Sequence, residues 1–289
     1  MTATQEKTPR EAPAQASGEH ADRAAVRREE IDRLARLRRP SWGTIAGAVG
    51  IVALLGWSSS STGFNAPALI AGGPHIADFV SRMFPPNLEE LPVAIELMIE
   101  TLGIAITGTV FGVLLAVPLA LLASRNIFPQ PWIRDTARVV INVVRAIPEL
   151  MWALLFVSAV GLGAFAGTLA IMVGTTFGVA RLFADIFETA DMRAWDAAAA
   201  TGARKSQRVT WVLLPQQLPT MASYTLLVLD GNVRAASLLG LVGAGGIGME
   251  LNQQLRLFEY GSVMTIVLVV LVVVMSLDFV SSYVRKRFV

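Results

Sequence analysis

The sequence predicts an all-α protein, a polytopic membrane helix bundle of about six transmembrane helices with both termini cytoplasmic. Three observations carry this. Of the 289 residues, 54% are hydrophobic and 16% charged, with mean hydropathy +0.56, whereas soluble domains run near one quarter charged. Of the 46 charged residues, 16 lie in the first 40 positions (9 Lys/Arg and 7 Asp/Glu), which leaves 15 of each sign over residues 41–289. Beyond the tail, the chain resolves into apolar runs of about 20 residues, the length that crosses a bilayer. A soluble enzyme of one or two ordinary domains is excluded, and so is a nucleic-acid binder with a basic face. The formal charge of +2 belongs wholly to the tail.

Residues 1–40 form a cytoplasmic tail. Residues 1–18, rich in Ala, Pro, Thr and Gln, read as disordered; residues 19–39 read as a helix with many i,i+4 charge pairs. No secretory signal is present, because about forty polar residues precede the first apolar run. The membrane domain is residues 41–289. Its first span runs from about Ser41 to Ser60, with Trp42 and Trp57 near its two interfaces. The second runs from about Ile99 to Ala123. The third, near Val139–Val160, contains Arg145, Pro148 and Glu149. The fourth is about Phe165–Leu182. The fifth, about Leu218–Leu241, contains Asp230 and Arg234, and the sixth, about Ser262–Tyr283, carries Asp278 near its end. Gly43/Gly47, Gly108/Gly112, Gly163/Gly167 and Gly174/Gly178 are spaced four apart, which lets membrane helices approach closely.

Orientation follows from the basic residues. Arg36, Arg38 and Arg39 precede span one, and Arg285, Lys286 and Arg287 follow span six. Arg125, Arg134 and Arg138 join spans two and three; Arg193, Arg204, Lys205 and Arg208 join spans four and five. The opposite segments are poorer in Arg and Lys, so the termini fall in the cytoplasm of a multi-pass inner-membrane protein.

The chemistry available is narrow. The absence of Cys rules out disulfides and thiolate sites. His20 and His75 are far apart, so no metal site is expected. None of Lys7, Lys205 and Lys286 follows a Gly, so no phosphate-binding loop exists and any ATP must be bound by another chain. No Ser/His/Asp set is present, and an enzyme is not expected. Gly243, Gly245, Gly246 and Gly248 match GxGxxG literally, but the run follows a membrane span rather than a strand. It is expected to form a close-packed turn or re-entrant segment at the external gate.

The cytoplasmic loop between spans four and five, about residues 186–217, is the most informative segment. Asp196–Ala200 should be helical, Gly202 permits a tight turn, and Ala203–Leu213 should form a second short helix. Pro215 should end that helix and Pro219 should start the next span. Two i,i+4 charge pairs lie inside the membrane, Arg145/Glu149 and Asp230/Arg234. Each is either a structural ion pair on one helix face or part of a pathway whose guanidinium attracts an oxyanion. An ion-coupled secondary transporter acting alone stays open as a second class. It calls for inverted repeats that the two halves do not display.

The loop resembles the signature of permease subunits of ATP-binding-cassette importers: Glu-Ala-Ala, three residues, Gly, nine residues, then Ile-x-Leu-Pro. This chain has Asp196-Ala197-Ala198, Gly202-Ala203, and Val212-Leu213-Leu214-Pro215 at that spacing, with Asp for Glu and Val for Ile. The strings Arg145–Gly167, Thr201–Pro219 and Asp230–Gly248 are similar to the phosphonate, phosphate and phosphite permeases. That subfamily shows Glu-x-Asn-x-Arg where this chain has Asp230, Asn232 and Arg234, and Pro in place of Ala164. The resemblance implies a type I ABC importer permease fold. In it, the 196–215 loop docks in a groove of an ATPase subunit; two such subunits hold ATP and Mg, and this chain itself takes no cofactor. A second permease subunit, the same chain or a paralogue, faces this one, and an extracytoplasmic phosphonate/phosphate-binding protein delivers substrate across the lipid membrane. Arg145, Glu149, Asp230, Asn232 and Arg234 are the substrate-path candidates, and the glycine run lies beside the gate.

Overall fold

The computed structural model describes residues 42–64 and 66–285. The tail and its helix over residues 19–39 lie outside the described residues, as do Lys286 and Arg287. The described residues are mainly helical, with no strand among them. The helices are α1 (Trp42–Thr62), α2 (Ala66–Arg82), α3 (Leu91–Ala123), α4 (Pro131–Arg145), α5 (Glu149–Val160), α6 (Ala164–Glu188), α7 (Met192–Ala200), α8 (Lys205–Arg208), α9 (Leu214–Leu239), α10 (Ile247–Leu257) and α11 (Tyr260–Arg285). The chain divides into two compact units after His75.

In the first unit, α1 is apolar around its whole circumference and has no buried residue. A helix of that kind is stable only where lipid or another helix surrounds it. The connection that follows span one is also helical, over Ala66–Arg82, with Pro74 inside it.

In the second unit, α3 and α6 are the packing axis. Both expose mainly Gly, Ala and Thr to each other. A Cβ on Gly108 would lie 2.6 Å from Ile171 Cγ2, and one on Gly112 would lie 2.6 Å from Thr175 Cβ. In lipid no hydrophobic force drives helices together, so close van der Waals contact between small residues has to supply the association. The other glycine pairs behave differently. Gly47 and Gly178 meet nothing, Gly167 lies against Ala244, and Gly174 faces Glu149. Helix α9 lies across both axis helices, where Asn232 Nδ2 donates to Thr109 Oγ1 (2.7 Å) and Thr175 Oγ1 (2.8 Å). All three side chains are buried, so one amide ties α3, α6 and α9 together.

Five helical stretches are long and apolar enough to cross a membrane: Trp42–Thr62, Leu88–Ala123, Ala164–Glu188, Lys205–Val242 and Tyr260–Arg285. The expected third span is not continuous. Its two halves, α4 and α5, are bent by 81° across Ala146–Pro148 and make a sixth span only if counted together. Pro148 has no amide hydrogen, and its ring excludes helical continuation from the residues before it. Span two starts at Leu91 rather than near Ile99. The fifth departs most. Pro215 does not end a loop helix, and Pro219 does not start the span. Helix α8 runs through a π turn, Val209–Leu213, directly into α9, with Pro215 in its first turn and Pro219 inside. Leu214 N–H donates to Val209 O, one residue beyond α register. That wider turn accommodates the proline ring.

Two outcomes test this packing. Gly112→Leu forces Cβ into Thr175 and is expected to cost about 1–3 kcal/mol by overpacking, read as a lowered melting temperature in detergent, while Gly178→Ala leaves it unchanged. Asn232→Ala and Thr175→Val, combined in a double-mutant cycle, are expected to show a coupling of about 0.6–1.7 kcal/mol, the range of interhelical hydrogen bonds in membranes.

Candidate functional site

The loop between α6 and α9 is a rigid helical hairpin. Asp191 Oδ1 caps α7 by accepting from Arg193 N at 2.9 Å, satisfying an amide that has no intrahelical partner. At the other end Gly202 N donates to Ala199 O (3.0 Å) and Ala203 N to Ala198 O (3.2 Å). These are the paired bonds of a Schellman turn, which needs a left-handed residue at its corner. Gly202 has φ +80°, and a Cβ there would meet nothing within 4 Å. The position therefore demands glycine for its backbone and not for space. Arg204 N then donates to Gln207 Oε1 at 2.8 Å to start α8.

The hairpin presents Asp196 and Ala197 to the exterior and anchors itself through its other face. Trp195 is buried, with the Arg208 guanidinium 4.6 Å above its ring. Lys205 Nζ lies 3.6 Å from the centre of the Phe128 ring, on the α3–α4 connection. Beneath it, Glu188 at the end of α6 accepts from Arg138 of α4 and from the backbone N of Arg125 (2.8 Å). Arg138 Nε also donates to Ala123 O at 2.9 Å. The hairpin, the end of α3, the start of α4 and the end of α6 are thus one connected piece. Pro215 is exposed in the first turn of α9.

The membrane charges do not pair as the spacing suggests. Arg145 ends α4 and Glu149 begins α5, so the 81° bend separates them. Arg145 is exposed and has no ion pair among the described residues. Glu149 turns instead toward α6, where a Cβ on Gly174 would lie 2.9 Å from its Cγ. At the bend, Met151 N donates to Pro148 O, and the amides of Glu149 and Leu150 have no acceptor within the described chain. The second pair is formed: Arg234 Nη2 lies 2.5 Å from Asp230 Oδ2. Its guanidinium also reaches Asp278 of α11, with Nη1 to Oδ2 at 3.7 Å. Asn232 joins neither pair and makes the threonine contacts described above.

The glycine run follows a short 3-10 turn at Gly240–Val242. Gly243, Gly245 and Gly246 all have positive φ. A Cβ on Gly245 would lie 2.5 Å from Ala164 N, and one on Gly246 would lie 2.5 Å from Thr101 Oγ1. This close approach lets two side chains of α3 cap the start of α10: Gly246 N donates to Glu100 Oε1 (3.3 Å) and Ile247 N to Thr101 Oγ1 (2.8 Å). Gly248 is buried against Ser237 O. Gly163 N donates to Gly243 O at 2.9 Å, joining the run to the α5–α6 turn. Irregular backbone at this depth is tolerated because protein covers it.

The structure thus adds Thr109, Thr175, Glu100 and Thr101 to the residues that sequence singled out, and gives Asp278 a partner in Arg234. Asp278 was visible as a charge near the end of span six, but nothing in its own neighbourhood named the group that meets it.

Comparison with known proteins agrees with this architecture. Residues 108–289 match the family model of the binding-protein-dependent transport system inner membrane component. The phosphite transport system permease protein PtxC of Stutzerimonas stutzeri is 35% identical over 273 residues, which is 93% of this chain and 98% of that protein. The phosphate-import permease protein PhnE of Mycolicibacterium smegmatis is 37% identical over 210 residues, 72% of this chain and 40% of that longer protein. Among solved structures, the inward-facing MetNI methionine ABC transporter superposes with TM-score 0.60 at 22% identity, covering 68% of this chain and 95% of that one. That likeness is one of fold. With more than half its length matched by the family model, and with a helical bundle built to cross a membrane, the chain belongs to the binding-protein-dependent transport system inner membrane components.

Proposed function

We propose that this chain is the membrane subunit through which an ATP-driven importer passes a phosphorus oxyanion (phosphite, phosphate or phosphonate) into the cytoplasm. The observation that carries the reading is the α7–Gly202–α8 hairpin. It is stiffened at both ends, exposed on the Asp196/Ala197 side, braced internally by Arg208 over Trp195, and held by Lys205 against Phe128 of the α3–α4 connection. A transporter acting alone on an ion gradient has no use for such a lever. The relatives' names supply the substrate class, since PtxC is a phosphite and PhnE a phosphate permease.

In this reading the termini and the hairpin are cytoplasmic. Two ATPase subunits carrying ATP and Mg dock on the hairpins of two permease subunits, identical or paralogous. A binding protein delivers the anion from outside. ATPase closure moves the hairpin, and with it the Glu188–Arg138 connection and α4. The break at Ala146–Pro148 is where α4 motion becomes a change of angle relative to α5. At that break Arg145 and the unpartnered amides of Glu149 and Leu150 are suited to an oxyanion, because guanidinium and helix-start amides both donate to it. Glu149 opposes tight retention, which a conduit requires. Arg234 is already engaged by Asp230 and Asp278, so Arg145 is the stronger path candidate. The glycine run, closed over Glu100 and Thr101, is the external gate.

Reconstitution of the purified transporter tests this. Arg145→Ala is expected to lower phosphite or phosphate uptake about tenfold or more, the loss of one charge-assisted hydrogen bond, with expression unchanged; unaltered uptake removes Arg145 from the path. Gly202→Val places a β-branched residue at positive φ, a strain of about 1–2 kcal/mol. It is expected to weaken ATPase copurification and substrate-stimulated ATP hydrolysis. Purification of the wild-type chain without any ATPase subunit would overturn the importer reading.

A further inference from the structure

Helix α4 presents three different faces. Ile141 is fully buried and joins the core shared with α3 and α6. A second face is apolar and open: Val139 and Val143 are each 60% exposed and Val140 is 44% exposed. In a membrane helix such a face meets lipid. The third face is polar. Arg138, Asn142 and Arg145 stand at i, i+4 and i+7 of one unbroken helix, so they form a single stripe. The first of them is engaged, since Arg138 bonds to Glu188 and to Ala123 O. The other two are not. Asn142 and Arg145 are both exposed, and neither side chain has a hydrogen bond or ion pair among the described residues. The remaining charges of α4, Arg134 and Asp135, pair with each other at 2.8 Å and leave Arg145 uncompensated. A guanidinium and an amide without partners do not face hydrocarbon; within a span they line a water-filled cavity.

We propose that this stripe of α4 lines the anion path between the break and the hairpin, and that Asn142 is the polar group that takes a phosphorus oxyanion from Arg145 as it leaves the break. The inference rests on the importer reading and adds a residue to it. Asn142 lies three positions before Arg145, and residues so spaced on a helix are neighbours, about 5–6 Å apart at Cβ. It therefore stands between Arg145 and the Glu188–Arg138 junction at the foot of the hairpin. Its chemistry suits a transient station. The side-chain amide offers two N–H donors to an oxyanion and carries no charge, so it holds the ligand without trapping it. Its Oδ1 accepts from a ligand oxygen that bears a proton. Arg138 cannot serve in the same way, because its charge is already met by Glu188. The anion thus passes from a charged donor to a neutral one, and then to the aqueous side.

The chain contains no cysteine, so a single engineered one reports on one position. Uptake of phosphite or phosphate by the reconstituted wild-type transporter is measured first, and its absence overturns the importer reading and this inference together. With uptake present, Asn142→Cys in the assembled transporter is treated with two methanethiosulfonates, one anionic and one cationic. Relative to their rates with a free thiol, the anionic reagent is expected to react about tenfold faster, because Arg145 attracts it. Inorganic phosphate or phosphite is expected to slow that reaction. Val140→Cys, on the opposite side of α4, is expected to stay unlabelled and to keep wild-type uptake. Two further variants separate a path role from a structural one. Asn142→Leu is expected to lower uptake about fivefold or more, the loss of one hydrogen bond to a charged group, at an unchanged melting temperature. Asn142→Gln keeps the amide and is expected to retain most of the uptake. An unreactive Asn142→Cys would overturn the proposal, since it marks a stripe covered by lipid or by the second permease subunit. Labelling that neither anion slows would overturn it too, since it marks an aqueous surface outside the path.

Discussion

A Cβ on Gly112 would overlap the Cβ of Thr175, and one on Gly108 would overlap Ile171; α3 and α6 therefore meet too closely to admit a side chain at either glycine. This approach is the constraint from which the other positions follow. Because the two backbones are so near, Thr109 and Thr175 fall within reach of a single side chain on a third helix, and Asn232 spans them. Asn232 in turn fixes the rotation of α9, which decides where Asp230 and Arg234, two residues to either side, are directed. In water the apolar faces would hold such an assembly by exclusion of solvent. In lipid that force is absent, and close packing and interhelical hydrogen bonds remain. The small residues at this interface are thus not passive spacers.

The same helices carry the hairpin. The end of α6 holds Glu188, and the end of α3 offers Ala123 O and the Arg125 amide; Arg138 of α4 bonds to both ends. The hairpin rests on this junction through Lys205 and Phe128 on one side and buries Trp195 on the other. A push on the exposed face of α7 meets no loose joint until Ala146–Pro148, where no regular helix continues. Stiffness near the hairpin and a break far from it are the mechanical requirements for converting a surface displacement into a tilt of part of the membrane domain.

Much of this was legible in the sequence, for identifiable reasons. Spans are read from composition because lipid allows few alternatives, and Gly202 was legible because the Schellman turn is local chemistry. The Asp230–Arg234 pair was legible because both lie on one unbroken helix, where a spacing of four residues means adjacency. The same rule failed for Arg145 and Glu149, since Pro148 between them removes the helix that gives the spacing its meaning. The expectation that Pro215 ends the loop helix failed because a π turn leads directly into the next helix and absorbs the proline. The partners of Asn232 and of the glycine run lie 57 to 146 residues away on other helices, and Asp278, the second carboxylate at Arg234, lies on α11. No local periodicity encodes such contacts.

The two arginines within the membrane illustrate how geometry separates roles that sequence makes equivalent. Each sits four residues from a carboxylate, and each is a guanidinium in an apolar setting. Arg234 meets two carboxylates from two helices, so its charge is already more than cancelled, and an anion approaching it would face net negative charge. Arg145 stands at the end of a helix with its sequence partner turned away toward Gly174, beside backbone amides that have no acceptor. An anion approaching there meets donors.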